Sequence, residues 1–287
     1  MALRNDLPPG DPLLQLGEAI VVGEIGPDSD WSRALRDVSS VVHLANLAHE
    51  MHGQAPLARY LKVNVEGSRN LARQASAAGA KRLVYLSSVK VLGERTAAAG
   101  FDETSPANPR DLYAQSKWQA EQALREVTGQ TGLEVAILRP PLVYGPGVRA
   151  NFLRLMRLVA RGLPLPLGAV TNRRSLVFVG NLTSAIEACL YHPAATGKTF
   201  LVSDGEAISS ADLVRALASA LDVPVRLLAV PQPLLRAVAG LVGKSEEAGR
   251  LLDSLEIDDG LLRRELDWSP PYSVAEGLGI TAQWFRE

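Results

Sequence analysis

Short runs of β-branched and aliphatic residues alternate with longer stretches of helical period through the first half of the chain. Glu18–Val22, Ser40–Leu44, Arg82–Leu86 and Val135–Leu138 read as buried strands. Helical patterns lie between them, at about 57–78 and 112–127, and the second carries Glu121 and Arg125 at i,i+4, a supportive pair. Strands that are apolar on both faces, alternating with helices, predict a parallel sheet covered on both sides. Right-handed crossovers then make the fold α/β, a doubly wound sheet of the Rossmann type.

The rhythm changes after Pro146. A helix over 150–161 runs into the Gly- and Pro-rich segment Gly162–Gly168, and 176–179 and 200–203 have strand character. Ser209 and Asp212 resemble a capping box that opens a helix over 210–221. Pro231 opens another helix, and the tail from Asp258 is largely helical. The expectation is a dinucleotide-binding domain over 1–145 and a smaller C-terminal substrate lobe over 146–287, with about 174–203 returning to the main sheet.

Composition narrows the function. The 287 residues carry a formal net charge of -1, without the basic excess of a nucleic-acid binder. Cys189 is the only cysteine, which excludes a disulfide framework and favours a cytosolic home. No apolar run reaches 18 residues, so no membrane span is expected. The strongly apolar helix over 232–242 is too short to cross a bilayer, and packed core is the favoured reading over a membrane anchor or subunit face. His49 and His52 flank Glu50 and Met51, a spacing unlike the His-Glu-x-x-His zinc motif, so no metal site is expected.

The chemistry concentrates at the end of strand 82–86, which runs into Ser87-Ser88. Tyr113-Ala-Gln-Ser-Lys117 follows 25 residues after Ser88. Tyr113 and Lys117, four apart, share one face of a helix. A parallel-sheet enzyme places its chemistry at the carboxyl ends of its strands, where Ser88 lies. A free phenol titrates near a pKa of about 10, and a nearby ammonium favours its ionised form. Tyr113 would then exchange a proton with a hydroxyl or carbonyl while Lys117 supplies the field, and Ser88 would hold the same oxygen.

Several further segments carry a resemblance: Val41-Val-His-Leu-Ala45, Asn64-Val-Glu-Gly67, Leu86–Gly93, Leu138-Arg-Pro-Pro-Leu-Val-Tyr-Gly-Pro-Gly147, Arg174–Val179 and Leu266–Pro270. With Tyr113–Lys117 they make the chain similar, over essentially its whole length, to the extended short-chain dehydrogenase/reductases of the NAD-dependent epimerase/dehydratase group. The resemblance implies that Ser88, Tyr113 and Lys117 are catalytic. It implies that Leu44, Ala45, Lys117, Pro140 and Leu142 border a nicotinamide cofactor, that Asn64, grouped with the cofactor-binding residues, buttresses the active-site strand, and that Glu24, in Gly23-Glu-Ile25, lies near the adenine. It also implies a homodimer through a four-helix contact that includes the Tyr113 helix.

The family opens with a strand, a Gly-x-x-Gly-x-x-Gly turn and a helix, and this sequence contains no such motif. Those glycines bring the backbone against the pyrophosphate. Ala2–Asn5 resembles the end of the family's second strand, so about 30 residues, one strand–helix–strand portion, are absent ahead of it. The absent strand would be central, leaving two sheet edges unpaired. Either the sequence is an incomplete reading of a longer enzyme, or it is a repurposed, non-catalytic relative acting as a binding module. The intact serine, tyrosine and lysine favour the enzyme. Arg4 lies near the place where an acid selects NAD and an arginine NADP, so both cofactors stay open.

Family dehydratases carry acidic residues just after the active-site serine or threonine. Here Val89 and Lys90 stand there, which leaves 4-epimerisation or ketone reduction. The resemblance extends to a subgroup that includes UDP-glucose 4-epimerase-like proteins and reductases of UDP-4-keto-6-deoxy-N-acetylhexosamine, acting in surface polysaccharide assembly; the reductase is slightly favoured. It implies that Asn151 and Phe152 face the nucleotide, that Arg174 pairs with the diphosphate, and that Arg250 and Lys90 are further substrate contacts. Plainer readings compete at each: core packing for the apolar residues, solvated charge for Arg4, Arg174 and Lys90.

Overall fold

A computed structural model of the chain describes residues 1–8, 11–48, 56–97 and 99–287. Along the chain come strands β1 (Ala2–Leu3), β2 (Ile20–Val21) and β3 (Ser40–His43), helices α1 (Leu57–Tyr60) and α2 (Gly67–Ala77), β4 (Arg82–Leu86), α3 (Leu112–Thr131), β5 (Glu134–Arg139), β6 (Leu142–Tyr144), α4 (Ala150–Ala160), β7 (Leu176–Phe178), α5 (Val179–Tyr191), β8 (Thr199–Leu201), α6 (Ser210–Leu221), α7 (Gln232–Leu241), α8 (Ser245–Leu252), α9 (Gly260–Leu266) and α10 (Val274–Arg286). They fall into two compact units.

The first unit comprises 1–93, 106–139 and 188–200. Its main sheet has the order β3-β4-β5-β8, with β4 parallel to both β3 and β5. A short parallel β1–β2 ladder forms a separate sheet. In the main sheet's order β3 stands at an edge. Its Val42 is 38% exposed, whereas Leu83 and Val84 in central β4 are buried. Continuous apolarity was expected to bury β3 as well; burial on both faces needs a packed layer over each face, and Val42 is only partly covered.

Helices α2 and α3 pack their apolar faces on this sheet, and Leu71, Ala75, Ala120, Leu124 and Val127 join Leu83, Val135 and Ile137 in the core. Asp111 caps α3 by accepting from Ala114 N, and Gly132, at φ 75°, ends it in the left-handed region that suits a residue without Cβ. The helix expected over 57–78 is interrupted. Leu61–Glu66 widens into a π-helix between α1 and α2, a feature that recurs at functional sites.

The second unit comprises 94–105, 140–187 and 201–287. Its core gathers Phe152, Met156 and Val159 of α4, Leu176 and Phe178 of β7, Leu217 and Leu221 of α6, and Leu278 and Ala282 of α10. Of the 174–203 stretch expected to return to the main sheet, β8 does so, beside β5, while β7 pairs in parallel with β6 as a separate ladder. Helix α7 departs from the packed-core expectation: Leu234, Val238 and Leu241 are exposed and only Ala239 is buried. Among the described residues no helix is long and apolar enough to cross a membrane, and no cluster of metal-ligating side chains occurs. His49 and His52 lie outside the described residues.

Candidate active site

Strand β4 ends at Leu86, and the pleat then sends successive side chains to opposite sides. Ser87 turns inward, 3% exposed, and Ser88 outward. Ser88 caps the short turn Val89–Val91, its Oγ accepting from Lys90 N at 3.2 Å. That contact uses the oxygen, so the Ser88 hydroxyl proton is available to donate to a ligand. Lys90 itself pairs with Asp111, tying the turn after Ser88 to the cap of α3. The ion pair accounts for Lys90 better than the substrate contact expected of it.

Helix α3 lays Tyr113, Lys117 and Glu121 along one line at i, i+4 and i+8. Lys117 is 1% exposed; its Nζ donates to Leu86 O at 2.6 Å and sits 4.3 Å from the centroid of the Tyr85 ring. An ammonium has three donors, and the Leu86 carbonyl takes one, which fits the hydroxyls of a nicotinamide ribose at a strand tip. Burial pulls the Lys117 ammonium down to about 7, against the Glu121 carboxylate, which raises it. Burial also pushes the Tyr113 phenol up to about 12, with Asp111 and Tyr60 adding to the rise. This reverses the sign expected from the sequence. The ammonium meant to acidify the phenol is itself disfavoured by desolvation, so in this state both groups tend to neutrality.

Asn64, in the π-helix, was expected among the cofactor-binding residues, as a buttress of the active-site strand. It is 1% exposed and its amide is fully engaged: Oδ1 accepts from Leu47 N at 2.7 Å, and Nδ2 donates to Leu47 O and Ser116 Oγ, both at 2.9 Å. Ser116 in turn donates to Tyr113 O. Asn64 is therefore no direct ligand; it fastens the loop after β3 to the first turn of α3. Behind it, Ser68 Oγ donates to Asn64 O and lies 2.8 Å from His43 Nε2. The single serine proton is committed to that carbonyl, so Nε2 of His43 carries the hydrogen, and burial holds the ring neutral with a pKa of about 3.

Leu44 and Ala45 are exposed just past the carboxyl end of β3. At the end of β2, Glu24 faces both Arg4 at 3.9 Å and Arg59 at 3.6 Å, all three well exposed. A cleft of about 250 Å³ opens beside them, lined by Val22, Glu24, Ile25, Gly26 and Lys62. These residues suit the adenosine end of a dinucleotide, and Ser88, Tyr113 and Lys117 suit the nicotinamide end. None of the residues described supplies the glycine cradle for the pyrophosphate between them.

The remaining expectations fall in the second unit. Pro140 is buried and Leu142 is 39% exposed. Asn151 is exposed on the first turn of α4. Phe152 does not face a nucleotide: it is 5% exposed and stacks on Tyr144 at 5.4 Å, because the helical period turns it into the core beside Met156. Arg174 is half-buried and donates to Asp253 O at 3.0 Å; burial lowers its proton affinity, the Asp253 carboxylate opposes that, and Arg250 adds a smaller repulsion. The Asp253 carboxylate is occupied by Arg236.

Sequence reading missed one group. Glu121 keeps the expected i,i+4 ion pair with Arg125, at 3.9 Å, but it is fully buried and held more closely by Arg139, whose Nε and Nη2 donate at 2.9 and 2.6 Å. Ser87 Oγ donates to the same carboxylate at 2.6 Å. The signal was present: the four-residue step from Tyr113 to Lys117, taken once more, lands on Glu121.

The sequence model of the NAD dependent epimerase/dehydratase family matches residues 6–203. The chain is 43% identical to a UDP-glucose 4-epimerase of Vibrio cholerae, over 93% of this chain and 82% of that one. It is 31% identical to the N-acetyl-alpha-D-glucosaminyl-diphospho-ditrans,octacis-undecaprenol 4-epimerase of Escherichia coli O157:H7, over 93% and 83%. In fold it is similar to the UDP-glucuronic acid 4-epimerase of Bacillus cereus in complex with NAD, with a TM-score of 0.76 and 18% identity, over 96% of this chain and 83% of that one. The chain belongs to the NAD-dependent epimerase/dehydratase family.

Proposed function

We propose that the protein interconverts the configuration at C4 of a nucleotide-activated hexose, with NAD as its cofactor. The observation that supports this reading is Lys117 donating to Leu86 O at the carboxyl end of β4, just before Ser88, with Tyr113 one helical turn before Lys117 and no carboxylate following Ser88. Val89 and Lys90 stand there, and Lys90 is committed to Asp111. An elimination of water needs an acid and a base beside the sugar carbon that loses its hydroxyl; a proton exchange at one oxygen needs only the phenol.

NAD, when bound, accepts and returns a hydride at the reacting carbon. The chain's own part is to handle the proton and hold the sugar. Ser88 donates its hydroxyl hydrogen to the C4 oxygen and fixes its direction. Tyr113 takes the proton from that oxygen and gives it back. At about 12 its phenol is almost wholly protonated at neutral pH, so the phenolate that takes the proton needs the charge of Lys117 to form. Lys117, at about 7, carries that charge for only part of the population at neutral pH. Contacts that favour its charged form, such as ribose hydroxyls, therefore favour turnover.

In the second unit, Arg174 is half-buried, feels the Asp253 carboxylate and, less, the positive charge of Arg250, and donates to the Asp253 carbonyl. Two neighbouring guanidiniums suit a diphosphate, and Asn151 is exposed for the nucleotide. The sequence favours a 4-keto reductase slightly; the two 4-epimerase relatives favour epimerisation, which is the reading adopted. Product analysis after incubation with UDP-glucose, UDP-N-acetylglucosamine and a UDP-4-keto-6-deoxy sugar separates the two. The expected result is a C4 epimer without net change in NADH. Consumption of reduced cofactor by the keto sugar alone, with no epimer from the others, would replace this reading with the reductase.

A further inference from the structure

We propose that Glu121, clamped by Arg139 and Ser87, is a positioning residue that fixes the strand tip bearing Ser88 and sets the charge on Lys117. The geometry is one of complete commitment. Oε1 of Glu121 accepts from Ser87 Oγ and Arg139 Nε, and Oε2 accepts from Arg139 Nη2. Ser87 also donates its backbone N–H to Leu138 O at 2.7 Å, so the residue preceding Ser88 is pinned to β5 by its backbone and to α3 by its side chain. Arg139, 4% exposed, has no aqueous route for its charge, and its guanidinium lies over the Trp118 ring at 5.8 Å. A fully buried ion pair of this kind seldom stabilises more than well-packed apolar residues would. Its placement, one helical turn beyond Lys117, gives it a second task.

The groups facing Lys117 are few. Tyr113 and Glu121 come from α3 itself, Tyr85 from β4 beneath the ammonium, and His43 from β3, while Arg139 on β5 stands beyond Glu121. His43 is neutral, and Tyr85 and Tyr113 are phenols disfavoured from ionising. Glu121 is therefore the anion that acts on Lys117, and its attraction opposes the burial that would discharge the lysine.

The test titrates Lys117 directly in the full chain labelled with ε-13C lysine. The six lysines give separable signals, and Lys117 is assigned by the loss of its signal in Lys117→Arg. In the parent protein Lys117 is expected to titrate near about 7. Glu121→Gln should move that titration down by about one unit or more, since it removes the anion and leaves the Arg139 cation. The paired variant Glu121→Leu/Arg139→Leu removes both charges, keeps the core apolar, and should move it down by less. Ser87→Ala should leave the titration in place while lowering kcat about tenfold with KM little changed, the mark of a misplaced Ser88. If Lys117 titrates as in the parent in both Glu121 variants, and Ser87→Ala turns over normally, the proposal is overturned. The kcat arm rests on the C4 reading above; the titration arm does not, so a parent protein inactive on every nucleotide sugar but with the expected shifts would sink that reading and leave this one standing.

Discussion

The two ends of the first unit's ligand-binding edge are built in opposite ways. At the β4–α3 end, Lys117, Glu121, Arg139 and Ser87 are nearly or wholly buried, and every one has a hydrogen-bond partner within 3 Å. At the β1–β2 end, Arg4, Glu24 and Arg59 are exposed, and their ion pairs are 3.6 and 3.9 Å long. One end holds charge in a low-dielectric interior, where each group is costly alone and strong in company. The other leaves its charges in water, where screening makes the same pairing weak. Chemistry that depends on a perturbed proton affinity belongs at the first end, and adaptable ligand contact at the second.

The largest effect expected at the buried end is on turnover. Tyr113→Phe removes the proton-carrying oxygen and should lower kcat by about 10²–10⁴-fold without shifting the unfolding midpoint. Measured epimer formation close to the parent rate would break the assignment of the proton to this phenol.

Next comes the cost of breaking the buried pair. Arg139→Met strands Glu121 among apolar residues and should destabilise the protein by about 3–5 kcal/mol in urea unfolding. Asn64→Ala should cost less, about 1–3 kcal/mol, because it orphans Leu47 N and the two acceptors Leu47 O and Ser116 Oγ without stranding a charge. It should also lower kcat, since Ser116 and the Tyr113 backbone lose their tie to the β3 loop. An Asn64→Ala protein with parental stability would show that water replaces the amide.

The same burial makes a prediction about pH. Lys117 falls from 10.5 to about 7 on folding, so between those values the unfolded chain binds more protons than the folded one. Stability therefore rises with pH across that window, as the penalty for burying the charge is relieved, and it is independent of this lysine below about 7. Lys117→Met should flatten the slope of unfolding free energy between pH 7 and about 9 relative to the parent. Comparing variant with parent cancels Cys189, whose thiol burial pushes up to about 12 and whose contribution runs the other way above its ordinary range. Parallel slopes in the two proteins would mean that Lys117 stays charged when folded.

The buried end was legible in sequence to the extent that it is periodic. Ser88, Tyr113 and Lys117 follow from a strand end and a four-residue helical step, and the strands that sandwich them follow from apolar runs. Glu121 shares the period, and spacing gave its pair with Arg125, but only the packing of β5 against α3 brings Arg139 to it. Asn64 spends its amide on Leu47 and Ser116, a buttressing part, from a π-helical turn that is invisible to a 3.6-residue period. Phe152 failed because the helical period that predicts α4 also places it beside Met156 in the core. At the exposed end little could be read, since surface arginines pair by proximity in three dimensions rather than by spacing.

The smallest prediction concerns that exposed end. Arg4→Ala removes one of two cations facing Glu24, and the pair it breaks is long, solvated and matched by Arg59. Pairs of this kind contribute about 0–1 kcal/mol, so the unfolding midpoint should stay within the error of measurement, at low salt and at high. A consequence should still be visible in binding: with Arg4 gone, Glu24 is less neutralised and better able to accept hydrogen bonds from an unphosphorylated ribose or adenine. The ratio of NAD to NADP affinity, measured by titration, should therefore rise for Arg4→Ala and fall for Glu24→Gln. Opposite shifts with unchanged stability would establish the β2 end as a ligand-facing surface whose charges serve selection alone. A large loss of stability in either variant would erase the contrast with the buried end.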